Sequence, residues 1–284
     1  MGLCDGIVER LMSLFGGPVR VVDTLVDHRE RCVLEVVLPD GRPAVAKCVM
    51  DPDRADREAM VLDAAAREGV AVPRLMARAP GSPPVLVLDR VAGDWLSPDR
   101  PARAWAATGA AVRRLHGVAV VGLAEFANRD GWPAGLREIT TYWGPRSRAA
   151  GLDRHAVDAV RAGADRLMRS RPGEPRSVTL HGDCVPIHVR LNHGDEVVGL
   201  LDLGDACRGD PAWDLAVLTM RSPERLAAVL DGYRADPELR AWAGEAWPVY
   251  RALRLVAEVG WLADHDFDPG RAIREATAAA RAIA

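Results

Sequence analysis

The sequence predicts an α+β protein of two lobes, a small N-terminal lobe built on an antiparallel β-sheet and a larger, mostly helical C-terminal lobe. Alternating apolar and β-branched residues, which are typical of half-buried strands, occur at about 19–26, 32–38 and 43–49. From about residue 101 onward the apolar residues recur mostly with helical spacing. The 284 residues suffice for two such lobes, which we assign to 1–90 and 91–284.

A local sequence pattern predicts each further element of the small lobe. The amphipathic pattern of 6–15 predicts a short helix. The sequence Pro-Asp-Gly-Arg at 39–42 separates the second and third strands and predicts a hairpin turn. Helical spacing over 53–69, which starts after a proline and stops at a glycine, predicts a longer helix. The apolar run at 85–88 predicts one more buried strand.

The large lobe is helical by the same criterion, with one exception. We predict helices at 101–118, 153–169, 211–219, 223–233, 237–263 and 270–283. Three short strand-like pieces flank polar loops instead, at 178–180, 189–191 and 197–201. A cleft between a β-rich lobe and a helical lobe is a natural place for a ligand.

The composition narrows the class of protein. With 49% hydrophobic and 27% charged residues, the chain has enough apolar material for a core. No apolar run reaches the roughly 20 residues that span a bilayer, and a net charge of −3 argues against nucleic-acid binding through bulk electrostatics. The cysteines lack C-x-x-C spacing, which indicates reduced thiols in a cytoplasmic protein. They are Cys4, Cys32, Cys48, Cys184 and Cys207.

One lysine stands out among the 37 basic residues, because every other one is arginine. Lys47 lies inside the strand-like run 45–49, where a solvated charge is out of place. A snorkelling surface lysine is the ordinary interpretation, but a functional ammonium fits better here, since a planar guanidinium cannot replace it. Glu58 on the following helix is the candidate partner, although by itself it also fits a solvated helix face.

Three segments in the second half of the chain carry the most specific motifs. They read His-Gly-Asp-Cys-Val-Pro-Ile-His at 181–188, Leu-Leu-Asp-Leu-Gly-Asp at 200–205 and Gly-Asp-Pro-Ala-Trp-Asp-Leu at 209–215. In these segments the chain resembles the aminoglycoside phosphotransferase family, antibiotic kinases related to the protein kinases. The resemblance, which extends over about 25–220, implies a protein-kinase-like two-lobe fold and phosphoryl transfer from a nucleotide. The chain departs from the family pattern at position 188, where His replaces Asn.

The small lobe resembles the same family independently. The strand around Lys47 is similar to the family's third-strand lysine motif, and the helix around Glu58 to the helix that follows it. Residues 86–93 resemble the hinge between the lobes. The resemblance implies that the hinge backbone around Asp89 and Val91 binds the nucleotide base, which leaves ATP and GTP equally open as donors.

The family pattern also implies a role for each motif carboxylate. Asp183 is the implied catalytic base, which orients the acceptor hydroxyl and takes its proton late. Lys47, held by Glu58, is implied to reach the nucleotide phosphates, and Asp202 to bind Mg²⁺ between two of them. Asp205 is either a second metal ligand or a structural cap.

Other motif residues are predicted to be structural. Asp210 precedes a proline at the start of a helix, which is a typical N-cap position. Asp210 and Asp214 are therefore expected to fasten the preceding loop to that helix. His181 is expected to brace the catalytic loop as a buried, hydrogen-bonded histidine, and His116 is expected to be structural in the same way.

Two departures from the family pattern affect the donor side. Mg²⁺ prefers hard oxygen ligands to imidazole, so the histidine at this position leaves three alternatives. His188 binds the metal anyway, Asp205 takes over as ligand, or only one metal is held firmly. We favour a coordinating His188. The loop 26–31 has no glycine that would let backbone amides approach phosphate. Arg29 or Arg31 either reaches the phosphates by its side chain or is simply solvated.

The acceptor is expected to bind to the large lobe beside Asp183. The candidates are Trp261, Asp264 and Asp266, because carboxylates suit a cationic aminoglycoside and an aromatic ring suits a nucleoside or another planar antibiotic. A polar loop and helix packing explain these residues at least as well. Packing also explains the other aromatic residues of this region, Trp242, Trp247 and Tyr250.

The resemblance implies an antibiotic-inactivating O-phosphotransferase, and the residues agree with it. Such an enzyme moves the γ-phosphate of ATP or GTP, with Mg²⁺, to a hydroxyl of an aminoglycoside or of a nucleoside or peptide antibiotic. A small-metabolite kinase of the sugar, choline or homoserine type is an alternative, and a nucleotide-binding pseudokinase module is another. A metal-dependent hydrolase built on His181, Asp183, His188 and Asp202 would leave Lys47 without a purpose.

Overall fold

The computed structural model of the chain describes residue 4 and residues 6–126, 132–170 and 176–284. The strands are β1 (Arg20–His28), β2 (Arg31–Val37), β3 (Pro43–Val49), β4 (Leu75–Ala79), β5 (Val85–Asp89), β6 (Asp94–Trp95), β7 (Val178–Leu180), β8 (Val189–Leu191), β9 (Val197–Leu200) and β10 (Cys207–Gly209). The helices are α1 (Ile7–Phe15), α2 (Pro52–Arg67), α3 (Ala102–His116), α4 (Trp132–Ala149), α5 (Arg154–Ser170), α6 (Pro211–Thr219), α7 (Leu226–Tyr233), α8 (Pro237–Asp264) and α9 (Gly270–Ile283).

The described chain divides into two compact units. Unit 1 contains the chain up to Leu96 together with Val118–Val120 and Ile187–Ala206. Unit 2 contains Ser97–Gly117, Val121–Pro186 and Cys207–Ala284. Strands β8 and β9 therefore belong to unit 1, although they lie in the second half of the sequence. The lobe boundary near residue 90 stays a prediction.

The main sheet of unit 1 is antiparallel and has five strands in the order β1-β2-β3-β5-β4. Strands β2 and β3 form the predicted hairpin, in which Gly41 supplies the left-handed turn residue at φ 85°. Helix α1 buries Ile7 and Leu11 in the same apolar cluster as Val36 and Val87 of the sheet. The sheet and α1 thus share one core.

Helix α2 begins and ends where the sequence signals it. The Asp51 carboxylate accepts the Asp53 N–H at 3.0 Å, and Pro52 is the first helical residue. Gly69 follows the helix at φ 68°. The helix buries one side, which includes Glu58 together with the apolar side chains of Val61, Leu62 and Ala65. A second sheet of unit 1, with the order β6-β8-β9, ends two residues before Asp202.

Unit 2 is built around α8, a helix of 28 residues against which α4, α6 and α9 pack. Helices α3 and α7 approach each other so closely that a Cβ atom on Gly232 would lie 1.8 Å from the carbonyl oxygen of Ala106. Strands β7 and β10 form a two-stranded antiparallel sheet. The α+β class, with an antiparallel sheet followed by a mostly helical region, is confirmed.

Sequence reasoning missed helix α4. Its sequence contains two prolines and two glycines, at 133, 135, 144 and 145, so its helical propensity is poor. The helix forms because packing outweighs propensity: Ser147 donates to the carbonyl of Val256 on α8 at 2.7 Å, and Trp132 donates to the hydroxyl of Tyr250 at 2.9 Å. The short strands β4, β6 and β10 were also not predicted as strands.

The prediction of reduced thiols is wrong for one pair of cysteines. Cys4 and Cys32 form a disulfide that joins the chain before α1 to β2. The pair is separated by 28 residues, and nothing in that spacing marks it as a pair before the chain is folded. Among the described residues, the buried thiols of Cys48, Cys184 and Cys207 lie outside this disulfide. Within the part of the chain that the structure describes, no helix is long and apolar enough to cross a membrane.

Candidate active site

Strand β3 places Lys47 in an apolar setting. Its cross-strand neighbours are Val33 on β2 and Leu86 on β5, and only 5% of Lys47 is exposed. A buried ammonium is stable only when carboxylates pair with it, because burial removes its hydration. The surroundings of Lys47 therefore require anionic partners.

Two carboxylates meet the Lys47 ammonium. Its Nζ lies 2.8 Å from Oε1 and 2.6 Å from Oε2 of Glu58, and 2.6 Å from Oδ1 of Asp202. Burial by itself lowers the pKa of Lys47, but the charges of Glu58 and Asp202 outweigh it, so the pKa is raised above its ordinary value of 10.5. Glu58 is 1% exposed, which excludes the solvated helix face as an explanation for this residue.

Asp202 is bound by a second cation, Arg31, whose Nη1 lies 2.7 Å from Oδ2. Burial raises the pKa of Asp202, but Lys47, His188 and Arg31 outweigh burial and hold the pKa well below the ordinary value of 3.8. The backbone of Asp202 is left-handed at φ 61°, a conformation that is uncommon outside glycine and is found at functional sites. Asp202 is therefore kept in its ionised form, and its backbone has a conformation that few residues other than glycine adopt.

His188 also lies next to Asp202. Its Nε2 is 3.5 Å from Oδ2, which is longer than a normal hydrogen bond. The five residues Arg31, Lys47, Glu58, His188 and Asp202 all belong to unit 1, and we call them the Lys47 cluster. The role of His188 as a metal ligand stays a prediction.

Asp205 faces helix α2 and forms an ion pair with Arg54 there. One turn further, Arg57 Nη1 donates to the carbonyl of Gly204 at 2.8 Å. A Cβ atom on Gly204 would lie 3.0 Å from Nε of Arg54, so glycine permits this close approach. These contacts pin the segment after Asp202 to α2, and they favour the structural alternative for Asp205.

The donor set of the Lys47 cluster fits a divalent metal that is held mainly by substrate. Mg²⁺ in phosphoryl-transfer sites is bound by one or two carboxylates together with phosphate oxygens. Asp202 can supply one such carboxylate, and its present partners, Lys47 and Arg31, are groups that also bind phosphate. Among the described residues, no group of three or more His, Cys, Asp or Glu side chains is arranged to hold a metal ion by itself.

Asp89 and Val91, which are predicted to contact the nucleotide base, lie at the end of β5 and just beyond it. The Asp89 carboxylate accepts the backbone N–H of Arg74 at 2.5 Å. A cavity of about 500 Å³ lies beside them, and its lining includes Asp89, Val91, Val72 and Gly93. No member of the Lys47 cluster lines this cavity. Base binding by the hinge stays a prediction.

In unit 2, Asp214 holds the loop that carries Asp183. Its carboxylate accepts the backbone N–H groups of His181 at 2.6 Å and Gly182 at 3.0 Å. His116 Nε2 lies 3.0 Å from the same carboxylate, and Asp214, His181 and His116 are all buried. The structural roles predicted for Asp214 and His116 are confirmed, and His181 is buried as predicted. A bracing hydrogen bond from the His181 imidazole stays a prediction.

Asp210 caps helix α6, as predicted, by accepting the N–H of Ala212 at 3.0 Å. Its other oxygen accepts the indole N–H of Trp242 at 2.6 Å and the hydroxyl of Tyr250 at 2.8 Å. Trp247 donates to the hydroxyl of Thr219 at 2.9 Å. These three aromatic residues of α8 therefore pack against and anchor α6.

Asp183 contacts an arginine that sequence reasoning missed. Arg254 on α8 places Nη2 2.7 Å and Nε 3.2 Å from Oδ1 of Asp183. The side chains of Arg254 and Asp183 are 20% and 23% exposed. Arg254 lies 71 residues after Asp183, in a tail that carries no motif, so no sequence signal was available to find it.

Of the three residues predicted to bind the acceptor, Asp264 and Trp261 have side-chain partners within unit 2. Asp264 accepts a hydrogen bond from Arg146 at 2.9 Å. The ring of Trp261 stacks on His265 with a centroid distance of 4.2 Å. Asp266 has a left-handed backbone at φ 60° in the turn after α8. Their role in acceptor binding stays a prediction.

The site and the fold together agree with a family assignment. A buried lysine between two carboxylates, with a separate aspartate in a His-Gly-Asp loop, is the residue set of a phosphoryl-transfer enzyme of the kinase type. The model of the phosphotransferase enzyme family matches residues 33–253, which is well over half of the chain. The chain therefore belongs to the phosphotransferase enzyme family. In sequence, none of the curated proteins matches it significantly.

Several solved structures share the fold. The GDP complex of wild-type aminoglycoside 2'-phosphotransferase-IIIa is 16% identical with a TM-score of 0.72, and the match covers 96% of this chain and 97% of that chain. A thermostable mutant of aminoglycoside phosphotransferase APH(4)-Ia, in a ternary complex with AMP-PNP and hygromycin B, is 19% identical with a TM-score of 0.69 and coverages of 96% and 97%. Macrolide 2'-phosphotransferase MphH from Brachybacterium faecium is 21% identical with a TM-score of 0.64 and coverages of 97% and 97%.

Proposed function

We propose that this chain transfers the γ-phosphate of ATP or GTP to a hydroxyl group of an antibiotic and thereby inactivates it. The observation that carries the proposal is the Lys47 ammonium held between Glu58 and Asp202 inside unit 1. Phosphoryl transfer needs positioned cations more than covalent chemistry, because the charge of its transition state lies on phosphate oxygens. A buried lysine kept charged by two carboxylates supplies such a cation.

On the donor side, Lys47 and Arg31 are proposed to bind the phosphates. A guanidinium carries several N–H donors, and the contact to Asp202 uses Nη1, so other donors of Arg31 can bind a phosphate. Arg31 thereby supplies by side chain the phosphate contact that the glycine-free loop cannot make through its backbone. Asp202, with His188 beside it, would hold Mg²⁺, which neutralises phosphate charge when bound.

On the acceptor side, Asp183 is proposed to act as the catalytic base. The acceptor hydroxyl oxygen forms a bond to the γ-phosphorus as the bond from that phosphorus to the β–γ bridging oxygen breaks. The hydroxyl proton passes to the Asp183 carboxylate and then to solvent, and the nucleoside diphosphate leaves with the bridging oxygen. Fixing the loop backbone through Asp214 keeps Asp183 in place for this step.

The proposal of an antibiotic acceptor is supported by the structural relatives. They include two aminoglycoside phosphotransferases, one of them bound to hygromycin B, and a macrolide phosphotransferase. Aminoglycosides, macrolides, and nucleoside or peptide antibiotics all offer hydroxyl groups. A small-metabolite kinase remains the alternative, since one fold serves many acceptors.

We also propose that the enzyme works in the cytoplasm, where ATP and GTP are available. The Cys4–Cys32 disulfide is unusual for that compartment, because cytosolic thiols are mostly kept reduced. Alkylating the thiols of freshly lysed cells before purification, followed by mass spectrometry of the peptides, would report whether the pair is oxidised where the protein is made.

The function is tested by turnover. The purified chain is incubated with Mg²⁺ and either ATP or GTP. Each reaction also contains one acceptor, which is hygromycin B, a macrolide, a nucleoside antibiotic or a peptide antibiotic. The release of nucleoside diphosphate and the gain of a phosphate by the acceptor are measured. We expect one class to gain a phosphate, and the Asp183→Asn variant to transfer it about 10²–10⁴-fold more slowly. Turnover with choline, homoserine or a sugar alone would establish the metabolite kinase, and nucleotide binding without any turnover would establish the pseudokinase.

A further inference from the structure

The backbone that carries Arg254 is rigidly placed. Arg254 lies in the second half of α8, and its sequence neighbours Leu253 and Leu255 are both 0% exposed. The helix is anchored on both sides of this point, by Tyr250 on Asp210 and by the Val256 carbonyl on Ser147. An arginine on such a support can hold a partner in a fixed position, because only its side chain retains freedom.

The contact between Arg254 and Asp183 is made by two donors. Nη2 and Nε both approach Oδ1, at 2.7 Å and 3.2 Å. One turn further along α8, Glu258 Oε2 lies 3.9 Å from Nη1 of the same guanidinium. The two hydrogen bonds to Asp183 are charge-assisted and therefore stronger than hydrogen bonds between neutral groups. The guanidinium is therefore constrained by α8 on one side and by Asp183 on the other.

The ion pair continues into a network. Arg221 Nη2 lies 2.8 Å from Glu258 and 2.9 Å from Glu275 on α9. Burial lowers the pKa of Arg221, but its hydrogen bonds and ion pairs with Glu258 and Glu275 outweigh burial and raise the pKa. Isolated surface ion pairs contribute little, whereas partly buried networks with good geometry hold their members in place. The network links Asp183 to both C-terminal helices.

We infer that Arg254 is a positioning residue for the catalytic carboxylate of Asp183. The inference rests on the proposed function, which makes Asp183 the base. Arg254 fixes the direction in which the carboxylate points, and Glu258 and Arg221 keep Arg254 extended toward it. A misplacement of a catalytic group by about 1 Å costs on the order of 100-fold in rate. The motif-free tail thus contributes to catalysis through Asp183 without touching the substrate itself.

The test compares Arg254→Ala and Arg254→Lys with a matched control, Arg251→Ala. Arg251 lies on the same helix, where it donates to the carbonyl of Met220 at 2.7 Å and lies over the ring of Trp247. Turnover is measured with Mg²⁺ and ATP or GTP, with hygromycin B and with water as acceptors. We expect Arg254→Ala to lower kcat by about 100-fold with little change in the KM for nucleotide, and Arg254→Lys to lose less. Arg251→Ala should keep a kcat near that of the unmodified chain.

Chemical rescue separates positioning from structural support. Millimolar methylguanidinium should restore part of the kcat of Arg254→Ala, because it can occupy the place of the lost side chain, and should leave Arg251→Ala unaffected. Equal loss of kcat in both alanine variants without rescue, or unchanged kcat in Arg254→Ala, would overturn the inference.

A second measurement does not depend on turnover. Urea unfolding of Arg254→Ala, Asp183→Asn and the double variant forms a thermodynamic cycle. We expect the second substitution to add little loss once the first is present, because each removes the same ion pair. Strictly additive losses would overturn the inference. If the unmodified chain turns over nothing, the proposed function fails, while this cycle still reports on the pair.

Discussion

The Lys47 cluster of unit 1 and the Asp183 loop of unit 2 both set a carboxylate against a cation, but they do so in different surroundings. Lys47 and Glu58 are almost completely buried, whereas the side chains of Asp183 and Arg254 are about one-fifth exposed. A buried ion pair must stay intact because each partner otherwise remains as an uncompensated charge. A partly exposed pair can lose one partner to water at little cost. Loss of a partner in the Lys47 cluster is therefore expected to lower the stability of the fold, whereas loss of Asp183 or Arg254 is expected to affect mainly catalysis.

The largest effect on activity is expected at Asp183, in the partly exposed pair. Asp183→Asn should reduce transfer by about 10²–10⁴-fold, the range of a lost general base, and should leave nucleotide affinity unchanged because Asp183 acts on the acceptor. Steady-state turnover and binding of a fluorescent nucleotide analogue measure the two quantities. A parallel loss of nucleotide affinity would place Asp183 on the donor side instead.

The largest effect on stability is expected at the buried site. Lys47→Ala leaves Glu58 buried without its cation, so the free energy of unfolding should fall by about 3–5 kcal/mol. Arg254→Ala should lower it by about 1 kcal/mol or less. Urea unfolding of both variants makes the comparison, and adding Glu58→Gln to Lys47→Ala should recover part of the loss. Similar losses in the two single variants would show that burial does not distinguish the two sites.

The contribution of Asp202 to stability should depend on pH in acid. The pKa of Asp202 lies well below 3.8 in the folded chain, so the unfolded chain takes up this proton first as the pH falls. The stabilisation is fully present above about pH 4 and is lost as the pH falls below 3.8 toward the lower folded value. Unfolding free energies between pH 5 and pH 3 should therefore fall less steeply in Asp202→Asn than in the unmodified chain. Equal slopes would show that the ion pairs of Asp202 do not stabilise the folded chain.

A smaller effect is expected from His188→Asn, which replaces an imidazole by an amide oxygen beside Asp202. If His188 contributes to metal binding, the Mg²⁺ concentration for half-maximal turnover should fall, by about tenfold or less, because Mg²⁺ prefers oxygen ligands. Titrations with Mg²⁺ and Mn²⁺ check this. An unchanged metal dependence would remove His188 from the metal site.

The smallest effect is expected from thiol reagents. Burial, together with the charges of Asp214 and Asp183, raises the pKa of the Cys184 thiol well above 9.0, and burial raises the pKa of Cys48. Iodoacetamide at pH 8 should therefore leave Cys184 and Cys48 unmodified and activity unchanged in the folded chain. Peptide mass spectrometry checks this, with the urea-unfolded chain as the control. Rapid alkylation of Cys184 in the folded chain would contradict its burial.

The parts of the site that the sequence allowed us to predict are those with local or compositional signals. Lys47 was recognisable because a lone lysine lay inside an apolar strand, and Asp210 because it preceded a proline at a helix start. Helix α2 was recognisable from its cap and its terminal glycine. Helix α4 was missed because its prolines and glycines oppose a helix that packing on α8 enforces.

The contacts that the sequence did not predict share a different property. Arg31 lies 171 residues from Asp202, Arg254 lies 71 residues from Asp183, and Cys4 lies 28 residues from Cys32. Neither arginine stands out in the sequence, since arginine is the basic residue nearly everywhere in this chain. Their partners became known only when distant segments were brought together.

The amino-acid order alone determined the α+β class, most helix ends, the isolated lysine and the loop motifs, because periodicity, capping and turn chemistry act between residues that are close along the chain. The folded chain decided which charges neutralise which, and how strongly. Those pairings depend on burial and on contact between remote segments, and both are properties of three-dimensional packing that no local pattern encodes.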